Sequence, residues 1–263
     1  MPQLEKKRLS LFGERLRQFR KRRGMSQLDL ALEANSTARY VSFIETGRSR
    51  PGRDISLRLA TALDLSLRES NTLLESAGLK PEYQESGIAK SLPKPAGLII
   101  EKVLQKHEPY PAWVIGPGLR FLDSNEAAEK IFPGLVGMDP SALVDLFCSP
   151  SNNPDEAVRQ TIVRQTISAL KHEQFHYPHP DLPALLERAR SYYTKRNSEP
   201  EPLEGPFACG TLSINGKTAK TVSTVMRFDK ANDVTVSEIR IELVFPADEE
   251  SDLLLKGFSE PSG

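Results

Sequence analysis

No stretch of the 263 residues approaches the roughly 20 consecutive apolar residues that a bilayer-spanning helix needs, so no segment is expected to cross a membrane. The opening MPQLEKKRLS lacks an apolar core ahead of a small-residue cleavage site, which argues against a secretory leader and for a cytoplasmic protein. Cysteine is scarce. Cys148 and Cys209 stand far apart without CxxC or metal spacing, so reduced, buried thiols are expected rather than a disulfide framework. Neither a Walker A loop nor GxGxxG occurs, and Ser124-Asn125 lacks the GxSxG context of a hydrolase nucleophile. Asp123, Asp145 and Glu173 offer carboxylates but no recognisable acid–base pair. These gaps leave no expected catalytic residue and no expected cofactor.

Net charge is zero only as a sum. Residues 1–83 carry 16 Lys and Arg against 10 Asp and Glu, while the remainder carries 19 against 25. A basic first third on an acidic body is the charge pattern of a nucleic-acid-binding head joined to a non-binding part.

That first third reads as a string of short helices. Leu11, Phe12, Leu16 and Phe19 recur at helical spacing, and the run Arg20-Lys21-Arg22-Arg23 ends at Gly24. Ser26 is expected to N-cap QLDLALEA, with Leu28, Ala31 and Leu32 on one face. Asn35-Ser36 makes a turn, and TARYVSFIET forms a third helix that buries Val41 and Ile44 and stops at Gly47. Helices from Asp54 to Leu63 and from Leu67 to Ala77 follow. The dimensions from Ser26 to Gly47 are those of a helix-turn-helix, with Leu28, Val41 and Ile44 filling the space between its helices and Ala31 small where they cross. Thr37, Ala38, Arg39 and Ser42, at the start of the third helix, are the residues expected to face a major groove, with Arg39 as the leading base reader. Gln27, at a helix N-terminus, suits a phosphate, and Arg48, Arg50 and Arg53 suit the phosphate backbone.

Matched continuously from Leu11 to about Pro81, this segment resembles the DNA-binding domain of Cro/C1-type (XRE family) repressors. The resemblance implies a phosphate-contacting role for Gln27, base-facing positions for Ala38, Arg39 and Ser42, and an internal salt bridge between Arg20 and Glu45.

Residues 80–95, KPEYQESGIAKSLPKP, have Pro, Gly, Ser and charge but little apolar periodicity, as a linker does. Beyond a helix from about Gly97 to Gln105, PAWVIG and LRFLDS are short β-prone runs around Pro117-Gly118. Helices are expected over Asn125 to Ile131, Ala142 to Phe147, Asp155 to His172 and Leu182 to Tyr193, with a loop from Ser198 to Pro206. Strands are expected near Ala208 to Ile214, Thr218 to Phe228 and Val236 to Phe245. In the last, Ile239, Ile241, Leu243 and Phe245 alternate with Arg240 and Glu242, so one face should be covered and the other wet. His172, His176 and His179 have suggestive spacing, but Pro178 and Pro180 argue against one helix carrying the first two, and no metal site is expected.

FIETGRSRP, HEPYPAWVI, LDSNEAAEKIF and DVTVSEIRIELVFPADEESDLLL together resemble XRE-type regulators with an MmyB-like, PAS-like ligand-binding domain. The resemblance covers nearly the full chain, weakens between about Gly137 and Glu204, and departs from the usual pattern at GPGLRF. It implies a small-molecule sensor that takes apolar, fatty-acid-like ligands. Trp113, Ile115, Phe121, Ile131, Phe132, Leu146, Phe147, Val158 and Ile162 are the apolar residues available to line a pocket or, equally, to form plain core.

The expected architecture is an all-α helix-turn-helix domain over residues 1–80, a linker over 81–95, an α+β PAS-like domain over 96–250, and a tail over 251–263. The second domain is expected to hold a five-stranded antiparallel sheet with covering helices. The expected partners are double-stranded DNA, a fatty-acid-like small molecule and a second copy of the chain in a homodimer. The competing reading is a DNA-associated adaptor whose second domain binds a protein.

Overall fold

Side-chain caps set the helix boundaries of the N-terminal unit. Helices α1 (Pro2–Arg22), α2 (Gln27–Glu33), α3 (Ala38–Glu45), α4 (Arg53–Ala62) and α5 (Leu67–Ser76) follow one another through short turns. The Ser26 hydroxyl accepts from Asp29 N at 3.1 Å while the Asp29 carboxylate accepts from Ser26 N at 2.8 Å. These reciprocal bonds satisfy two backbone N–H groups that the first turn of α2 would otherwise leave open, and Ser66 with Glu69 does the same for α5. Gly24 ends α1 and Gly47 ends the turn after α3 at φ of 67° and 69°, in the left-handed region where a Cβ is penalised.

The computed structural model describes residues 2–86, 92–151, 155–176, 179–193, 209–214 and 216–259. Two units result, Met1–Ser86 with Lys230–Ser237, and Gly87–Asp229 with Glu238–Gly263.

In the first unit Phe12, Leu16, Leu30, Val41, Ile44 and Leu59 form a fully buried centre. The expectation for α2 is corrected here: Leu28 and Leu32 are 58% and 71% exposed, and the inward stripe is Gln27, Leu30, Ala31 and Ala34. Leucines at three alternate positions cannot share a face of period 3.6, and only Leu30 falls on the buried side. A further close approach, of α1 to the end of α3, lies at Gly13, where a Cβ would stand 2.5 Å from the Glu45 carbonyl oxygen and 2.7 Å from that of Ile44.

Part of the expected linker is anchored. Asn71 Oδ1 accepts from Glu82 N and Tyr83 N at 3.0 Å each, and its amide donates to Tyr83 O at 2.8 Å. Residues 230–237 complete this unit: Val234 N donates to Gln84 O at 2.8 Å, and Ser86 donates from N and Oγ to Asp233 Oδ2 at 3.1 and 2.6 Å.

The second unit is α+β. After α6 (Lys94–Lys106) come β1 (Ala112–Gly116), β2 (Arg120–Ser124), α7 (Glu126–Ile131), α8 (Pro140–Cys148), α9 (Glu156–His176) and α10 (Leu182–Ser191). Then follow β3 (Cys209–Ile214), β4 (Lys217–Arg227), β5 (Arg240–Pro246) and α12 (Glu249–Ser259), while α11 (Val234–Glu238), between β4 and β5 in sequence, lies almost wholly in the segment that belongs to the first unit. The sheet runs in the order β2-β1-β5-β4-β3, every pairing antiparallel. One face, with Val114 and Ile241, packs on Ile100 and Leu104 of α6. The opposite face carries Trp113, Ile115 and Val244, with Leu143 of α8 packed against them.

Several local expectations change. The last strand begins at Arg240, because Asp233 accepts from Val236 N at 3.1 Å and caps α11 instead. Of the residues read as a tail, 251–259 belong to α12, whose Leu255 packs on Ile214 and Ala219. Helix α9 extends to His176, since a proline at 178 restricts the residue before it and not the two turns beyond. The expected loop from Ser198 to Pro206 lies outside the described residues.

Candidate DNA-binding face and ligand cavity

Helix α3 is held on the head by a buried ion pair. Arg20 donates from Nε to Glu45 Oε1 at 2.6 Å and from Nη2 to Oε2 at 2.9 Å, and from Nη1 to Met25 O at 2.7 Å. The side chains are 10% and 3% exposed, so the pair sits in a low-dielectric setting where a two-pronged geometry fixes orientation. The carboxylate beside it holds the Arg20 guanidinium above its ordinary pKa. Gln27 Nε2 adds a third bond to Glu45 Oε2 at 2.8 Å, tying the start of α2 to the end of α3.

This arrangement sorts the expected DNA contacts. Thr37 N-caps α3, its hydroxyl accepting from Tyr40 N at 3.2 Å. Arg39 is exposed, with its guanidinium 5.2 Å from the centre of the Phe43 ring, a cation–π contact that stiffens a long side chain. Ala38 and Ser42 are half-buried beside it. Arg48 and Arg50 are exposed beyond the end of α3.

Two residues carry engagements that the sequence did not signal. The Gln27 amide is committed to Glu45, which leaves its backbone N–H and second amide hydrogen as donors for a phosphate. Arg53 donates to Lys80 O at 2.8 Å and pairs with the Glu82 carboxylate. Both side chains of that pair are about 40% exposed, so the pair lies at the surface of the unit.

In the second unit, the face of the sheet opposite α6 is separated from α8 and α9 by a cavity of about 490 Å³. That volume lies within the roughly 300–1,000 Å³ of small-molecule sites. Trp113 and Ile115 of β1, Phe121 of β2, Phe147 of α8 and Ile162 of α9 line it. The remaining residues of the expected pocket lie elsewhere. Phe132 stands behind the wall, its ring 6.4 Å from that of Trp113 and 5.4 Å from that of Phe147. Ile131 packs with Ile214, Ala219 and Leu255, and Leu146 and Val158 are half-buried and do not line the cavity. The apolar periodicity marked these four as inward without distinguishing a cavity wall from the layer behind it.

The polar lining is the larger surprise. Arg240 and Glu242, expected on a wet face, line the cavity together with Gln165, Thr166 and Thr221. Arg240 is 8% exposed, and its Nη1 donates to Glu173 Oε2 at 2.5 Å, with Glu173 itself 3% exposed. Across the β1–β5 ladder Trp113 pairs with Glu242, and the indole N–H donates to Glu242 Oε2 at 2.9 Å. Alternation of Arg and Glu with aliphatics reads as a solvent face because it shows the period of a strand but not what packs above it.

Other candidates resolve as structural. Asp145 accepts from Arg188 and from Tyr192 Oη, and the Arg188 hydrogen bond chiefly holds its carboxyl below the ordinary range. His172 is an exposed lining residue, while His179 Nδ1 lies 3.6 Å from the Asp181 carboxylate. The side chain of His176 lies outside the described residues. Among the described residues no three His, Cys, Asp or Glu side chains gather as a metal site would require, and no helix is long and apolar enough to cross a membrane.

The family described as helix-turn-helix matches residues 16–70, and the family described as MmyB-like transcription regulator ligand binding domain matches residues 99–256. No curated protein matches the chain.

Proposed function

Because the chain belongs to the MmyB-like transcription regulators, whose ligand-binding domain accounts for more than half of it, behind a helix-turn-helix head, we propose that it is a ligand-responsive regulator binding a specific operator as a homodimer. The observation that carries the reading is the exposure of Thr37 and Arg39 at the start of α3, presented by a core in which Arg20, Gln27 and Glu45 fix the angle of the helix pair. In the proposed complex Arg39 donates two bonds to guanine O6 and N7, Ala38 offers only an apolar contact, and Thr37 and Ser42 flank them. Gln27, Arg48 and Arg50 meet phosphates and set the register.

One such head makes few base contacts, and a second copy supplies the rest on an adjacent half-site. The cavity behind Trp113 takes a small molecule with a chain-like apolar body, as the family resemblance implies for fatty-acid-like compounds. Regulation then requires that the ligand bind the DNA-competent and DNA-incompetent arrangements with different affinity. The protein acts in the cytoplasm, at the nucleoid when bound.

Selection of genomic fragments by the purified protein at near-physiological salt, with and without a lipid extract, tests both halves. A roughly palindromic enriched motif whose affinity shifts with the extract is expected. Absence of any enriched motif would put the adaptor reading in its place.

A further inference from the structure

The charged wall of the cavity constrains the polar end of its occupant. Among the described residues, Arg240 and Glu242 are the lining side chains of fixed charge, and they differ in what they have left to offer. Arg240 is matched at 2.5 Å by Glu173, which lies outside the lining and is 3% exposed. The remaining N–H groups of Arg240 can still donate, but with Glu173 beside it the pair presents no net positive charge to a ligand carboxylate. Glu242 accepts one hydrogen bond from the indole of Trp113, on Oε2. An ionised carboxylate has about four lone-pair sites, so its acceptor capacity toward the cavity exceeds what Trp113 uses. The wall therefore offers an anionic acceptor and a cation that is already neutralised.

On the reading above that this cavity is the ligand site, we infer that Glu242 selects a ligand whose polar end is a hydrogen-bond donor, best a protonated amine, and disfavours a free carboxylate. The apolar body of such a molecule lies along Ile115, Phe121, Phe147 and Ile162, and its donor end meets Glu242 beside the indole edge. A carboxylate of equal chain length brings a second negative charge toward Glu242 in a partly desolvated site, where like charges destabilise each other. A neutral alcohol donates one bond without charge assistance and falls between the two.

Trp113 is the sole tryptophan of the chain, so intrinsic fluorescence reports on this wall directly. Decylamine, 1-decanol and decanoate are titrated into the full-length protein below their aggregation range, with the same series repeated on Glu242→Gln. The expected order is amine, alcohol, acid, with at least a tenfold difference between the first and last. Glu242→Gln should erase most of that preference and leave the alcohol nearly unchanged. A cation attracted only by the acidic surface of the unit would bind wild type and Glu242→Gln alike, which would overturn the assignment. Decanoate binding as tightly as decylamine to the unmodified protein would overturn it too, whether or not the variant folds. If none of the three chains perturbs Trp113, the cavity is not a site for chain amphiphiles and the ligand-site reading fails with it. Binding of all three in the wrong order would sink only the role of Glu242.

Discussion

Arg20 grips both carboxylate oxygens of Glu45 at 2.6 and 2.9 Å, and the same carboxylate takes the amide of Gln27. Removing one partner leaves the other charged and buried, so Glu45→Ala should destabilise the first unit by about 3–5 kcal/mol. Gln27→Ala leaves the ion pair intact and should cost far less. Denaturant unfolding followed by far-ultraviolet circular dichroism separates the two. Equal losses would show that the pair contributes no more than a single amide bond.

Arg39 and Arg48 should differ in kind. Arg39→Ala is expected to cost about 1–3 kcal/mol and relax base preference at a single operator position. Arg48→Ala should weaken all sequences alike and flatten the salt dependence. A panel of single-base operator variants, titrated at several salt concentrations, checks both. Identical profiles for the two variants would overturn the assignment of base reading to Arg39.

Gly13 lets α1 approach the backbone at the end of α3. An alanine methyl there meets carbonyl oxygens that have no flexible side chain to give way. Gly13→Ala should cost about 1–3 kcal/mol, as overpacking does, although alanine favours the helix more than glycine. A thermal melt in which Gly13→Ala gains stability would show that α1 can shift at little cost.

Burial pushes the Cys148 thiol up to about 11. Its thiolate fraction at neutral pH is therefore minute. Peptide mapping after brief treatment of the native protein with iodoacetamide should find Cys148 unmodified until denaturant is added. Rapid native labelling would indicate that the α8–α9–α10 core opens readily.

The Asp145 carboxyl is held low by Arg188, with Tyr192 contributing as well. A lowered folded pKa gives stability that is present at neutral pH and lost as pH falls through the folded value. The Asp145 contribution should thus begin to fade only as pH falls below the ordinary aspartate range, about pH 4, and be lost at still lower pH. Asp145→Asn should make the acid limb of thermal stability shallower, while a limb unchanged by the substitution would assign it to other carboxylates.

Much of the head was legible because its signals are local. Ser26, Thr37 and Ser66 cap helices where hydroxyl residues precede periodic runs, and Gly24 and Gly47 stop them. Gly13 was not legible, since a glycine inside a good helix reads as a mild flaw until its neighbour is known. Leu28 and Leu32 misled because leucine type outweighed their phase. In the second unit, the strand alternation of β5 placed Arg240 and Glu242 on the face opposite Ile241. It could not reveal that α9 arrives from about 70 residues earlier in the chain to cover them, with Glu173 matching Arg240. Pairings of that sequence separation leave no periodic trace.

Residues 230–237 also bear on how the protein can be taken apart. The first unit is discontinuous in sequence: the backbone leaves it at Ser86 and returns at Lys230. A fragment ending at residue 86 would strand Gln84 O and the Ser86 donors without Val234 and Asp233. Chimeras that graft this head onto another sensor need the octapeptide as well, supplied in trans or by circular permutation. A protease cut between 87 and 229 would nick the chain without releasing an entire head.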